Sequence, residues 1–324
     1  MELRQLRYFI RVADFKSFSR AATAVRVAQP ALSRQIRKLE QEIGVALFYR
    51  DGRGAVLTEP GQRYYQKISD ILRQLDCAAA EVQADSDTPT GEVMLGVPAQ
   101  LGPRFVARLV HAFRNRYPTA RIRVADGCNF QIAEWLQSSR IDLGFVYDPH
   151  TYPNLPVKTV VEEALYLVGP RASRHTARES IPFRFVAKLP LILPNLGNTL
   201  RGRVENAAAQ LGISANYEID IDSLPSIKQL VIEGAGYTIL PYAAVHDEVS
   251  RDLLTTSRIV EPDFYRPLGL AVRPNGVLSV ATNKLAGLIQ SELKELLAKG
   301  NWMGRVIANS PIKAALVPDL AKAP

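Results

Sequence analysis

The sequence predicts two fold classes in series: a head of short helices closed by a basic hairpin, then one long helix, then an α/β remainder. Three observations carry this. Apolar residues recur at the helical spacing of three and four through much of residues 1–60. A seam spaced 4, 3, 4, 3, 4 follows. Beyond Gly91 short apolar runs alternate with helical stretches, the pattern of sheets that carry helices on both faces.

In the first helix Leu3, Leu6, Phe9, Ile10 and Ala13 make one apolar face. Ser17 and Ser19 are candidate N-caps of a second helix carrying Ala21, Ala22 and Val25, since a serine hydroxyl can accept from a first-turn N–H. After a break at residues 27–28, Pro30 stands where a helix can begin without losing a needed N–H. The third helix turns Ala31, Leu32, Ile36, Leu39 and Ile43 inward. It turns Gln29, Ser33, Arg34, Arg37 and Lys38 outward, and Gly44 stops it. Two short apolar runs, 46–49 and 55–57, flank the Asp51–Gly52 turn signal, with Arg50 and Arg53 beside the tip. Three short helices and a basic hairpin make a winged helix-turn-helix.

Residues 62–84 read as one long helix. Tyr64, Ile68, Ile71, Leu75, Ala78 and Val82 form the a/d seam of a short coiled coil. Such a seam needs cover, from its own domain or from a second copy. A second copy is favoured, because little neighbouring chain is at hand. ADSDTPTG is a linker by composition. EVMLGVP, ARIRVADG, IDLGFVYD, LPLILP, YEIDI, YTILP and LGLAVRP then read as strands, and 103–117, 132–139, 200–211, 226–233 and 280–297 as helices. This alternation argues for parallel sheets. Residues 300–324, rich in Ala, Lys and Pro, read as a mobile tail.

Composition narrows the partners. A chain of 324 residues suits two or three compact units. No apolar run approaches the ~20 residues of a membrane helix, and the start lacks the pattern of a signal peptide, so a cytoplasmic protein without a membrane partner is expected. Two cysteines, Cys77 and Cys128, give no disulfide framework, and four scattered histidines give no metal-ligand spacing, so neither a metal nor another cofactor is expected. Residues 1–65 hold 12 Lys and Arg against 6 Asp and Glu, so most of the net +8 sits in the first fifth of the chain. A local basic surface fits a polyanion partner, though a merely solvated basic face would look the same. There is no GxSxG, P-loop or HExxH. Ser291–Lys294 has SxxK spacing but lies among Leu288, Leu293 and Leu296 of an amphipathic helix, so no enzyme is expected. The alternatives are a solute-binding protein, which would leave the basic head unexplained, and a small-molecule enzyme with a Rossmann-like domain.

The stretch FSRAATAVRVAQPALSRQIRKLEQEIGVALFYRDGRGAVLTEPG resembles the N-terminal signature of LysR-type transcriptional regulators. The strand beginning at Gly91, WLQSSRIDLGFVY and GAGYTILP resemble the family's periplasmic-binding-protein-like effector domain, built of two Rossmann-like subdomains. Residues 126–147 are similar to regulators of nitrogen or sulfur assimilation. The resemblance implies a DNA-binding head over 1–60, a dimerisation helix and hinge over 61–90 and an effector domain over 91–299. Its subdomains would be 91–161 plus 266–297, and 162–265, with the tail over 300–324.

The family's mechanism then assigns roles. The third helix is expected in the major groove of promoter DNA. Gln29, Pro30, Ser33 and Arg34 face or approach bases, Arg34 being able to bond guanine in a bidentate manner. Arg37 and Lys38 meet phosphates, and Arg50 and Arg53 meet backbone or minor groove. Where the family often has Ser or Thr before Gln29 this chain has Ala28, which removes a side-chain cap. The linker seam implies a homodimer, the effector domains a homotetramer, and RNA polymerase is a further implied partner. A small-molecule effector is expected in a cleft lined by Ala99, Gln100 and Leu101, by Gly127, Cys128 and Asn129, by Phe145 and Tyr147, by Pro194 and Asn195, and by Gly236 and Tyr237. Ala99 and Cys128 stand where many members have hydroxyls that hold a carboxylate. Gln100, Asn129 and helix N–H groups remain to bind an anion. Cys128 reads either as a redox-sensitive thiol or as a small residue filling a turn, and the second is favoured.

Overall fold

The computed structural model describes residues 1–49, 54–83, 89–274, 278–299 and 302–306. Helix α1 (Leu3–Phe15) buries Leu6, Tyr8, Phe9, Val12 and Ala13 and leaves Leu3 exposed. Ser17 caps α2 (Phe18–Ala24) by accepting from the Arg20 N–H at 3.3 Å, whereas Ser19 lies inside the helix. Helix α3 (Gln29–Ile43) follows Ala28, which gives no side-chain cap, and has Pro30 in its first turn. It stops at Gly44, whose φ of 82° is the left-handed conformation that glycine adopts without strain. The two hairpin arms pair where expected: Phe48 and Leu57 form an antiparallel bridge, and the Tyr49 N–H donates to Val56 O at 2.9 Å.

Helix α4 (Glu59–Gln83) begins three residues earlier than its seam suggests. Thr58 sets that start. Its hydroxyl donates to Ala46 O at 2.7 Å and accepts from the Gly61 N–H at 3.0 Å, satisfying a first-turn donor. Gly61 is needed for the approach, because a Cβ there would lie 2.0 Å from the Leu47 carbonyl oxygen. The core of the head does not end at residue 60. Tyr64, Tyr65, Ile68 and Leu72 of α4 pack with Phe9, Leu32, Ile36, Leu39 and Leu47. Each such aliphatic or aromatic side chain, fully buried, contributes about 1.5–3 kcal/mol.

The α/β half runs β1 (Gly91–Val97), a 3₁₀ turn (Ala99–Leu101), α5 (Pro103–Arg116), β2 (Ala120–Asp126), α6 (Asn129–Gln137), β3 (Leu143–Tyr147) and β4 (Val157–Pro170). Next come β5 (Ser180–Pro182), α7 (Phe183–Val186), β6 (Leu191–Leu193), α8 (Thr199–Gln210), β7 (Tyr217–Asp220), α9 (Leu224–Ile232), β8 (Thr238–Pro241) and α10 (Tyr242–Ser250). The described chain closes with β9 (Leu254–Val260), β10 (Tyr265–Val272), α11 (Val280–Ala298) and β11 (Gly304–Val306).

The expectation of parallel sheets holds only in part. β1 pairs parallel with β2 and β3, and β6 pairs parallel with β7. β10, however, runs antiparallel to both β3 and β4, and β4 runs antiparallel to β8 and β9. The reason is connectivity. β4 carries the chain out of the first half and β10 brings it back, so the two must oppose each other. The first half buries its core between the sheet and α5 and α11, with α6 on the other face. The second half has its own core around β4, β6, β8, α8 and α10.

The tail reading is corrected over residues 302–306. Trp302 is buried against Phe105, with ring centroids 5.0 Å apart, and β11 adds an antiparallel strand to β4. Burying the large indole fixes a segment whose flanking composition signals mobility. Residues 307–324 lie outside the described residues. Among the described residues no helix is long and apolar enough to cross a membrane.

Candidate functional site

Helix α3 sorts its residues into opposite faces. Leu32, Ile36 and Leu39 are buried. On the far side two rows run along the axis at steps of four: Gln29, Ser33, Arg37 and Pro30, Arg34, Lys38. Gln29, Pro30, Arg34, Arg37 and Lys38 are exposed, and Ser33 is half-buried. Gln29 Nε2 donates to Ser33 Oγ at 3.3 Å, which orients both at the N-terminal end of the helix. Lys38 has a loose, solvent-exposed ion pair with Glu2 at 3.7 Å, whereas Arg34 and Arg37 have no ion pair among the described residues. Two exposed guanidiniums and an ammonium on one helix face are suited to a polyanion. Arg50 and Arg53 of the wing lie outside the described residues.

One residue that positions this face is not evident from the pattern. Glu40, on the core side of α3, is only 7% exposed and accepts from the backbone N–H groups of Leu47 (2.8 Å) and Phe48 (3.2 Å). It ties the entry of the hairpin to α3. The available signal was a carboxylate in register with the buried face.

The linker seam divides. Ile68 is buried and Tyr64 half-buried in the head's own core, whereas Ile71 and Leu75 are 52% and 45% exposed. Ala78 and Val82 continue the same register along the α4 backbone. Tyr65 fixes the helix to α1 by donating from its hydroxyl to Asp14 Oδ1 at 2.5 Å. Burial, with help from Asp14, pushes the Tyr65 hydroxyl up to about 12.

Between the two α/β halves the chain builds a polar cluster. Arg266, at the start of β10, is 1% exposed. Its Nε donates to Asp148 Oδ2 at 2.9 Å, its Nη1 to Gln100 Oε1 at 2.7 Å, and its Nη2 to Thr199 Oγ1 at 2.6 Å. The guanidinium carbon lies 4.2 Å from the centroid of the Tyr147 ring. Arg203, on α8, donates to the other oxygen of Asp148. Burial pushes the Asp148 carboxyl up, but Arg266 and Arg203 outweigh it and hold it below the usual carboxylate range. Asn129 accepts from the Tyr147 N–H at 3.2 Å through Oδ1. Its Nδ2 donates to Tyr147 O at 3.0 Å and reaches Thr199 Oγ1 at 3.4 Å. Beneath these, the Tyr147 hydroxyl donates to Glu163 Oε2 at 2.6 Å. Glu163 is buried, and its Oε1 and the Trp302 Nε1 both lack a hydrogen-bond partner. Burial pushes the Glu163 carboxyl up to about 7, against the pull of Tyr147 and Arg266.

Of the expected cleft residues, Gln100, Asn129 and Tyr147 enter this cluster, and Ala99 and Cys128 are exposed nearby on the same two loops. Gln100 and Asn129 are not idle side chains awaiting an anion, because Gln100 Oε1 and both amide atoms of Asn129 are engaged inside the protein. Cys128 is a free thiol at the start of α6, where its N–H donates to Gln131 Oε1 at 3.0 Å. Gly127 sits beside it because a Cβ would lie 2.8 Å from the Trp135 ring.

Other expected residues are corrected. Phe145 is fully buried against Phe105, with centroids 5.8 Å apart, because it lies inside β3 rather than at its end. Leu101 is likewise fully buried in the first core. Gly236 and Tyr237 lie at the far end of β8. Tyr237 meets Ser173 (3.1 Å) and the His175 ring there, and only the Pro241 end of the strand leads into α10 and the boundary between halves. Pro194 is buried at the end of β6, and Asn195 donates from Nδ2 to Asp222 at 2.5 Å. The residues missed are Asp148, Thr199, Arg203, Arg266 and Glu163. Asp148 had a legible signal: a charge directly after an apolar strand, at its carboxyl end, where α/β folds place their crevices. The walls also touch at Gly102, where a Cβ would lie 2.7 Å from Ala243 O, and through an Arg104–Asp247 ion pair at 2.7 Å.

Comparison with known proteins agrees in both parts of the chain. Residues 3–62 match the family described as bacterial regulatory helix-turn-helix protein, lysR family, and residues 86–294 match the LysR substrate binding domain. Similar proteins include the HTH-type transcriptional regulator BbuR of Bordetella bronchiseptica, 28% identical over 299 residues, which is 92% of each chain. The nitrogen assimilation regulatory protein nac of Klebsiella aerogenes is 29% identical over 280 residues, 86% of this chain and 91% of its own. Among solved structures, a full-length OxyR variant from Pseudomonas aeruginosa superposes with a TM-score of 0.72 at 22% identity, covering 91% of this chain and 95% of that one. Full-length CbnR in complex with its target DNA gives 0.67 at 23% identity, covering 91% and 99%.

Proposed function

The chain belongs to the LysR family of DNA-binding transcriptional regulators, and on that premise we propose that α3 reads promoter DNA under the control of a small effector held at the polar cluster between the α/β halves. The carrying observation is the outward face of α3, where Arg34 and Arg37 stand exposed in two residue rows without an ion pair among the described residues. Gln29, Pro30, Ser33 and Arg34 face base edges. Arg37, Lys38 and the wing residues Arg50 and Arg53 meet phosphates or the minor groove. Ile71 and Leu75, exposed on α4 in register with Ala78 and Val82, pair with the same residues of a second copy. That dyad presents two heads to two half-sites. The α/β halves extend the dimer to a homotetramer, and RNA polymerase is the partner through which binding becomes transcription, in the cytoplasm.

The test is affinity against sequence and salt. Binding to the DNA upstream of the chain's own gene is expected to exceed binding to a shuffled duplex by roughly 10³ or more. The logarithm of affinity should fall linearly with the logarithm of salt concentration. Equal affinity for both duplexes would overturn the reading.

A further inference from the structure

The Arg266 guanidinium presents two edges to its partners. The Nε edge faces Asp148, its charged partner at 2.9 Å. The end edge, Nη1 and Nη2, holds two neutral oxygens, Gln100 Oε1 and Thr199 Oγ1, at 2.7 and 2.6 Å. Those oxygens come from opposite walls. Gln100 lies in the turn after β1 and Thr199 is the first residue of α8. Together they occupy the two positions that a single carboxylate fills in a bidentate arginine pair. Deepening the effector reading, on which this rests, we propose that the end edge of Arg266 is the seat of a small monocarboxylate, which binds by displacing Gln100 and Thr199.

The energetics favour the exchange. Hydrogen bonds to a charged acceptor are roughly twice as strong as those between neutral groups. Neither displaced side chain need be stranded, because Gln100 and Thr199 are only half-buried and can turn to water. The charge count points to one negative group. Arg266 and Arg203 face the single carboxylate of Asp148, and Glu163, the other acid whose charge acts on Arg266, keeps its proton below about pH 7, so one positive charge is in excess there. Arg203 extends the seat, since its Nε is buried without a hydrogen-bond partner. Two large apolar side chains stand exposed close in sequence to the cluster: Phe130, next to Asn129, and Leu196, three residues before Thr199, are 70% and 75% exposed. Binding also has a mechanical consequence. Thr199 is the atom through which the second wall holds Arg266 of the first, so the ligand breaks a wall-to-wall link when it arrives.

The test uses the full chain with aliphatic monocarboxylates from acetate to hexanoate, each against its primary amide, by titration calorimetry. The acids are expected to bind at least tenfold more tightly than the amides. Thr199→Val keeps the shape and removes the competing hydroxyl, so it should tighten acid binding about fivefold. A merely structural Thr199 would lower the melting temperature and leave the acid-to-amide ratio alone. Arg203→Gln should weaken the acids and not the amides, and serves if Thr199→Val folds poorly. Equal binding of acids and amides, no binding of any acid, or weaker acid binding by Thr199→Val would each overturn the seat. A footprint on the same promoter separates the two readings. Acids that bind without changing the footprint leave the seat standing and remove the control reading. Amides that bind and change it do the reverse.

Discussion

The outward face of α3 and the cluster around Arg266 both gather arginine, and they treat it oppositely. Arg34 and Arg37 are exposed with no ion pair among the described residues, while Arg266 is 1% exposed with Asp148, Gln100 and Thr199 on its donors. An exposed cation in water keeps its hydration until a phosphate replaces a counterion, so it adds little to folding and much to binding. A buried one must be paired to be tolerated at all, so its bonds are part of what folding requires. The outward face of α3 is therefore carried by a separate core, whereas the cluster around Arg266 is itself part of what holds the α/β half together.

That contrast fails first if the buried arginine can be removed cheaply. Arg266→Gln leaves Asp148 buried with only Arg203 and is expected to destabilise the α/β half by about 3–5 kcal/mol in urea unfolding. Adding Asp148→Asn should recover part of the loss, because the stranded charge is then gone. A loss under about 1 kcal/mol would put Arg266 in the same class as the α3 arginines.

The second prediction concerns pH and separates the halves by chemistry. Glu163 titrates at about 7 in the folded chain against 4.5 as a free side chain. Between those values the folded state keeps a proton that the unfolded state has released. Stability is therefore full below about pH 4.5, falls as the pH rises and is lower by roughly 3 kcal/mol above pH 7. Glu163→Gln keeps an acceptor for the Tyr147 hydroxyl and should raise stability at pH 8 while changing little at pH 4.5. In the head Tyr65 is also raised, to about 12, which puts its titration above this pH range. Unfolding followed by head-specific and α/β-specific probes from pH 5 to 8 should thus show this slope only in the α/β half. The same slope in both probes would mean that the two parts unfold as one.

A smaller effect tests whether the head's surface depends on its core. Glu40→Ala removes the acceptor shared by the Leu47 and Phe48 N–H groups and is expected to cost about 2–3 kcal/mol within the head. Hydrogen exchange at residues 47–49 and DNA binding should both suffer, while the thermal transition of the α/β half stays in place. DNA binding that survives intact would show that the hairpin entry does not need this tether.

The two regions also differ in how far the sequence discloses them. The α3 rows follow from the helical period alone, since Leu32, Ile36 and Leu39 inside force Arg34 and Arg37 outside. The wing arms were legible from two short apolar runs around a turn signal. The linker seam was half-legible: spacing marks Ile68 and Ile71 alike, but only tertiary packing decides that the first is covered by the head. The cleft needed long-range pairing. Arg266 meets Asp148, Gln100 and Thr199 across 118, 166 and 67 residues of sequence, and no local period records such contacts. β4 escaped notice because Glu162 and Glu163 interrupt its apolar run, although Glu163 is buried there at 1% exposure.

The last comparison lies within α3 and divides reading from holding. Arg34 and Arg37 have like exposure and lack ion pairs among the described residues, so electrostatics alone gives them equal roles. Their rows differ. Arg34 stands in the row that starts at Pro30, one turn from the helix N-terminus, the end that enters the groove in this class of head. Arg37 lies a turn further along, at the position proposed to meet phosphate. Arg34→Ala is then expected to cost ~1–3 kcal/mol on the promoter at one base position and to relax discrimination there. Arg37→Ala should weaken specific and shuffled DNA alike and lower the salt slope by about 1. Both should leave folding stability within about 0.5 kcal/mol, since neither touches the core. Selections on a randomised half-site, run with each variant, check this directly. If both variants relax the same base, the two rows read together; if neither relaxes any, α3 holds the backbone and the sequence is read elsewhere.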